Sequence, residues 1–147
     1  MAKLTINEAA AGFTHKFAFD YVDLQTTGFL SASSTKAVGT FAPGDIIDVA
    51  NLYVVTAAVG QTANTLGFGV STSTPIELLT STSAIGNSAA GTSIYNNGSE
   101  FVATAKMSVV NATTATKTLH IQVFQSPTSL TAGSWILAWR QLVVPKL

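Results

Sequence analysis

The chain predicts an all-β fold, an antiparallel two-sheet β-sandwich or jelly roll with a short N-terminal arm. Three observations carry that prediction. Through most of the sequence apolar and polar residues alternate with a period of two, the period at which strand side chains change face. Candidate strands recur about every 10 to 15 residues, separated by Gly, Pro, Asn and Ser turn chemistry, with almost no helical period between them. The 147 residues, 47% of them hydrophobic, suit one domain large enough to bury its own core. Richness in β-branched residues agrees.

Residues 1–13 stand apart from the rest. Thr5 and Glu8 have the spacing of a capping box, Ala9 to Ala11 continue one turn, and Gly12 stops it. This predicts a short helix or arm over 1–13 and one sandwich domain over 14–147. From Thr14 the period becomes two, Phe17, Phe19 and Tyr21 alternating with Lys16, Ala18 and Asp20 as in a half-buried strand. Lys36 to Phe41 is the next candidate. The turn Ala42-Pro43-Gly44-Asp45 then introduces the strongest apolar run, Ile46 to Val59. Its phase moves from Ile47 and Val49 to Leu52 and Val54, which predicts a bulge at Ala50-Asn51.

Leu66, Phe68 and Val70 alternate with Gly67 and Gly69, a strand whose glycines admit another backbone or a bulky ring. Ile76, Leu78 and Leu79 follow Pro75, a residue suited to a strand start or edge. Residues 80–100 are polar, anchored by Ile85, Ile94 and Tyr95, and predict a long loop with one short strand near Ser93. Three strands close the chain. They are carried by Phe101, Ala103, Ala105, Met107 and Val109; by Leu119, Ile121 and Val123; and by Trp135, Leu137 and Trp139. The turns between them are Asn111 to Ala115 and Pro127 to Gly133. No repeat of fixed length argues for a propeller or solenoid.

Seven basic and seven acidic residues leave no net charge and a pI near 6.7, so no electrostatic footprint exists for nucleic acid or an anionic membrane. Only 10% of residues are charged, against about 25% in ordinary globular proteins. With 21 Thr and 14 Ser, the surface must consist largely of small neutral side chains. Such a surface loses little when another protein covers it, because few charges are desolvated. The mean hydropathy of +0.39 is high, yet no stretch approaches the roughly 18 apolar residues of a spanning helix. The excess reads as core plus subunit interface. There is no cysteine, which removes disulfides and thiolate chemistry. The start carries no secretory pattern, so the protein is expected to be made in a cytosol and kept there or released by lysis.

Titratable groups are few and do not converge. His15 opens the first strand beside Lys16, and its expected place is solvent or an interface. His120, between Leu119 and Ile121, is expected on the polar face of its strand, pointing to solvent or a neighbouring subunit. A metal site would need both histidines and a carboxylate. Asp45 suits a turn, while Asp45/Asp48 and Asp20/Asp23 have odd spacings that put each pair on opposite strand faces. No Gly-x-Ser-x-Gly elbow occurs, and Gly67-Phe68-Gly69 is followed by Val-Ser-Thr-Ser-Thr-Pro rather than a phosphate-binding helix. The sequons at Asn97 and Asn111 read as turns. Trp135 and Trp139 share a face with Leu137 and are expected in the core rather than on a sugar platform. Neither catalytic residues nor a cofactor is expected. Tyr95 and Glu100 are the loop residues that a glycan-binding alternative would use.

One resemblance is carried by Phe41-Ala-Pro-Gly-Asp-Ile-Ile-Asp-Val-Ala-Asn-Leu-Tyr-Val-Val-Thr-Ala-Ala-Val, by Asn64-Thr-Leu-Gly-Phe-Gly-Val-Ser, and by Ala132-Gly-Ser-Trp-Ile-Leu-Ala-Trp-Arg. A Gly-Asp-led apolar strand ending in Thr-Ala, a short glycine-containing strand, a polar segment and an Ala-Gly-led final strand resemble the small jelly-roll decoration, or cement, proteins of tailed bacteriophage heads. The resemblance covers roughly residues 36 to 144 and is a texture of strands and turns. It implies a non-enzymatic virion protein, often trimeric, that binds the outside of the capsid and bridges major capsid subunits, after synthesis in the bacterial host cytoplasm. Candidate contacts are Leu4, Ile6 and Phe13 in the arm, with His15, His120 and Arg140 on the strands. The alternatives are another phage virion part, such as a fibre, spike or head appendage, and a glycan-binding β-sandwich. Weak contacts repeated on a lattice add by multivalency, and a closed oligomer covers exposed strand edges, so the composition suits the first reading.

Overall fold

The computed structural model describes residues 12–26, 34–103 and 105–143. Among these residues nine strands form two antiparallel sheets: β1 (His15–Asp20), β2 (Lys36–Phe41), β3 (Ile46–Val59), β4 (Thr65–Gly69), β5 (Leu79–Ala84), β6 (Ser93–Tyr95), β7 (Val109–Val110), β8 (Lys117–Val123) and β9 (Ala132–Leu142). Two single-turn helices, α1 (Tyr21–Leu24) and α2 (Ser99–Ala103), complete the regular structure. The larger sheet runs β1-β9-β3-β6, with β7 also paired to β3; the other runs β2-β8-β4-β5.

This order has a simple reading. The pairs β1·β9, β2·β8, β3·β6 and β4·β5 are those of one long hairpin folded at the β4–β5 connection. Wrapping that hairpin brings β9 onto β3 and β8 onto β4 and splits the pairs between two sheets. That is the jelly-roll solution, in which a sandwich is closed by long-range pairing. The two-sheet all-β prediction is therefore the observed fold.

The core lies between the sheets. Trp135, Leu137 and Trp139 of β9, with Ile47, Leu52 and Val54 of β3, face Phe41, Leu66, Phe68, Leu119, Ile121 and Val123 of the smaller sheet. The Trp139 and Phe68 rings meet across the sheets with centroids 5.2 Å apart, and Trp135 stacks on Phe19 at 5.5 Å. Both tryptophans are buried, as their shared phase with Leu137 predicts.

The phase change in β3 is real, but its place differs from the expectation. Pairing with β9 is regular across Ala50 and Asn51 and slips instead between Ile47 and Val49, with further slips between Val54 and Val59. The extra residue is Asp48. Bulging there keeps Ile47 inward with Ala50, Leu52 and Val54 while the Asp48 carboxylate turns outward to Arg140.

The segment Phe101 to Val109 does not form the expected strand. It forms α2 and, after a turn, the two-residue β7. Its start is fixed by backbone bonds from Gly98, Ser99 and Glu100 N–H groups to the carbonyls of Leu78, Ile76 and Glu77. These close the chain over the β4–β5 loop, where a Cβ on Gly98 would lie 2.2 Å from the Glu77 oxygen. Phe101 is buried there, whereas Met107 is 89% exposed, so no second layer exists to bury an alternating face. Residues 75–78 are likewise not the start of a strand. They belong to the loop covering β4, and β5 begins at Leu79, within what reads in sequence as the edge of a polar loop. Strand β1 ends at Asp20, not Tyr21, because Asp20 and Asp23 bond each other's backbone N–H at 3.0 Å and cap α1.

Candidate interaction surface

The two outward sheet faces differ in kind. On the smaller sheet, the strand residues that point out include Ala37, Thr40, Thr118, His120 and Gln122, and β4 presents Gly67 and Gly69. The chain covers those glycines itself. A Cβ on Gly67 would sit 2.4 Å from the Pro75 carbonyl oxygen and 2.7 Å from the Phe124 ring, and one on Gly69 would strike the Glu77 carboxylate. The glycines thus admit both another backbone and a ring, as the strand pattern predicts. Glu77 holds the loop down, its Oε2 accepting from the N–H groups of Val70 and Ile76 at 3.0 Å each.

The larger sheet exposes aromatic and apolar side chains on part of its outward face, while Asn51 and Ala138, paired at its centre, are buried. Its outward residues are Lys16, Ala18 and Asp20 on β1, Ser134, Ile136, Ala138 and Arg140 on β9, Val49, Asn51 and Tyr53 on β3, and Ser93 and Tyr95 on β6. Tyr53, Val55 and Tyr95 are 38%, 45% and 55% exposed. At the end of the sheet nearest the β2–β3 turn, Val110, Ile46 and Leu142 form one outward row across β7, β3 and β9. In the middle, Arg140 grips Asp48 with two bonds, Nε to Oδ1 at 2.7 Å and Nη2 to Oδ2 at 2.5 Å. This fork holds the Asp48 carboxyl below the ordinary carboxylate range, through the hydrogen bond first and charge attraction second.

Beneath Arg140 lies a polar network at the root of β1. Gln141 accepts from Trp139 Nε1 at 3.1 Å and donates to Asp45 Oδ2 at 2.9 Å and to the Thr40 carbonyl at 2.8 Å. Asp45 also accepts from the Ala42 N–H at 3.0 Å, the turn role its sequence position predicts. Thr14 fixes the entry of the chain, its N–H donating to the Trp139 carbonyl at 3.0 Å while its hydroxyl accepts from Gln141 N at 2.8 Å. His15 stacks on Trp139 with ring centroids 5.2 Å apart and planes 12° apart. Burial pushes the His15 imidazole below its ordinary value, against a smaller upward pull from Asp45.

The residues expected at an interface separate accordingly. Leu4 and Ile6, with the capping box at Thr5 and Glu8, lie outside the described residues. Phe13 is half-buried beside the entry of β1. His15 is half-buried; its phase in β1 matches Phe17 and Phe19 and lays it on Trp139, with Nδ1 2.7 Å from the Thr14 hydroxyl at the surface. His120 lies on the outward face of the smaller sheet, half-buried, with its buried Nδ1 unpartnered among the described residues. Arg140 lies on the outward face of the larger sheet. The two histidines therefore sit on different sheets facing different ways and do not share a site.

A cleft of about 280 Å³ at the β2–β3 end is lined by Glu77, Glu100 and Lys117. Its carboxylates are already engaged within the fold: Glu77 is committed to backbone N–H groups and Glu100 pairs with Lys106 at 2.5 Å. Among the described residues there is no group of three or more His, Cys, Asp or Glu side chains that could hold a metal, and no helix long and apolar enough to cross a membrane. Asn111 is buried and donates to the carbonyls of Phe41 and Ala115, so its sequon is a turn device.

The outward row of Tyr53, Val55 and Ile136 is not singled out by alternation alone. Its signal is that both phases of β3 and β9 are apolar, the pattern of strands covered on both faces.

No protein-family model matches the chain, and no curated protein matches it. Among solved structures, the chain is similar to a chain of the cyanophage Pam1 capsid asymmetric unit. The two are 12% identical, with a TM-score of 0.48 over 88% of this chain and 82% of that one.

Proposed function

We propose that this chain is a non-enzymatic virion structural protein, which decorates a bacteriophage capsid and stabilises it by bridging major capsid subunits. The observation that carries the proposal is a jelly-roll sandwich whose larger sheet displays Tyr53, Val55 and Tyr95, while Asp20, Asp23, Asp45 and Glu77 are spent on holding turns and loops. Jelly rolls recur in viral capsid domains and in lectins, and beside Tyr95 the Asn96 side chain is taken up by the Ala50 N–H and the Asp48 carbonyl and Asn97 Oδ1 by the Thr80 N–H, which favours the former. In this reading the protein acts as a homo-oligomer, a trimer on a lattice of threefold contacts. It is made in the host cytoplasm and ends on the capsid surface, and residues 1–13 form an arm reaching a neighbour.

The test is to add the purified protein to undecorated capsids. Co-sedimentation and a rise in the temperature at which the capsid bursts are expected, with no saturable binding on a panel of sugars. Sugar binding lost on Tyr95→Ala, with no capsid binding, would transfer the protein to the glycan-binding class.

A further inference from the structure

We infer that the outward face of the β1-β9-β3-β6 sheet is the surface on which a second copy of this chain packs. The inference deepens the homo-oligomer part of the proposed function by naming its contact surface, and it does not depend on which capsid is bound.

The face mixes exposed apolar and aromatic side chains with polar ones such as Lys16, Arg140 and Ser134. Tyr53, Val55 and Tyr95 stand out from β3 and β6, Ile136 pairs opposite Tyr53 on β9, and Val110 and Leu142 form a second apolar patch at the β2–β3 end, beyond the Arg140–Asp48 pair. Contiguous exposed apolar surface of more than a few hundred Å² marks an interaction site on a soluble protein. Tyrosine rings, apolar in body and polar at the tip, are enriched in such contacts. The smaller sheet differs because the chain's own 70–78 loop already lies over it. On the smaller sheet the loop covers β4, and the exposed residues that remain, Ala37, Thr40 and Thr118, are small.

Area and charge choose the partner. The residues of β1, β3, β6 and β9, at about 3.3 Å along and about 4.8 Å across each, span roughly 540 Å². A standard stable interface takes about 800 Å² from each partner, so this face supplies about two-thirds of one and its rim the remainder. Its charges are Lys16, Asp20, Asp48 and Arg140, two of each sign, and the last two neutralise one another within the face. A surface that meets its own copy must carry no net charge, because every group it brings is brought twice. A nucleic acid, an anionic membrane or a strongly charged protein would find no complement here.

Light scattering of the free protein at low and high concentration tests this without any capsid, so failure here and failure of the virion reading are separate results. Wild-type protein is expected to be an oligomer. Val55→Lys/Tyr95→Lys is expected to weaken self-association at least about 100-fold, giving a folded monomer by circular dichroism. The matching pair on the other sheet, Ala37→Lys/Thr40→Lys, should leave the mass unchanged. Should the first pair unfold, Tyr53→Ser/Tyr95→Ser provides the same reading with a smaller change. A monomeric wild type, a face variant that stays assembled, or a control pair that dissociates equally would each overturn the inference. A monomer whose mass rises when residues 1–11 are removed would assign the face to the chain's own N-terminal segment, and would also overturn it.

Discussion

Replacing Gln141 by leucine removes three hydrogen bonds while nearly conserving volume, which isolates the polar network from cavity effects. Gln141 is buried and joins Trp139 Nε1, the Asp45 carboxylate and the Thr40 carbonyl. Leaving the indole N–H unpaired in the core costs about 1–3 kcal/mol, and losing a bond to a carboxylate costs about 1.5–3 kcal/mol. The Thr40 carbonyl, at the strand edge, regains part of its loss from water. The sum is about 3–5 kcal/mol, a large share of the 5–15 kcal/mol by which domains are commonly stable. For a chain of this length that lowers the melting temperature by about 10–15 °C. Urea unfolding followed by tryptophan fluorescence, with Trp139 as a local reporter, measures it directly. A loss under about 1 kcal/mol at unchanged m value would refute the reasoning, because the network would then be dispensable or remade by water. Asp45→Asn is the companion: it keeps the shape and removes the charge, and it should cost less than Gln141→Leu.

Gly67→Ala forces a methyl group to within 2.4 Å of the Pro75 carbonyl, so it should lift the 70–78 loop and destabilise by about 1–3 kcal/mol, read as faster proteolysis in that loop. Acid should weaken the fold in two stages. His15, held below its ordinary value, is protonated first in the unfolded chain, so stability falls once the pH drops below about 6.5 and levels off beneath the folded value. Asp48, also depressed, contributes stability that is present above its unfolded value near 4 and lost as the pH falls through its lower folded value. His15→Phe should flatten the upper stage only, and an unchanged pH profile would reject that assignment. Deleting residues 1–13 should leave the sandwich folded, because Thr14 already anchors β1 on Trp139 and Gln141, while capsid attachment weakens; unchanged attachment would dismiss the arm.

Much of this was legible in the residues themselves. The alternation of Phe17 and Phe19, of Leu119, Ile121 and Val123, and of Trp135, Leu137 and Trp139 specified strands and their inward faces, because pleating sends neighbouring side chains to opposite sides. The glycines at 67 and 69 announced a close approach, since only a missing Cβ leaves room for one. Tertiary structure decided the rest. The bulge lies at Asp48 because Arg140, 92 residues away, takes its carboxylate. Phe101 to Val109 alternates but gains no layer to bury its apolar phase, so local backbone bonds to residues 76–78 win and a helical turn forms. His15 turns onto Trp139 because antiparallel pairing brings them opposite one another. That the 70–78 segment, rather than another part of the chain, lies over the β4 glycines was decided by the fold, where Glu77 bonds the Val70 and Ile76 N–H groups.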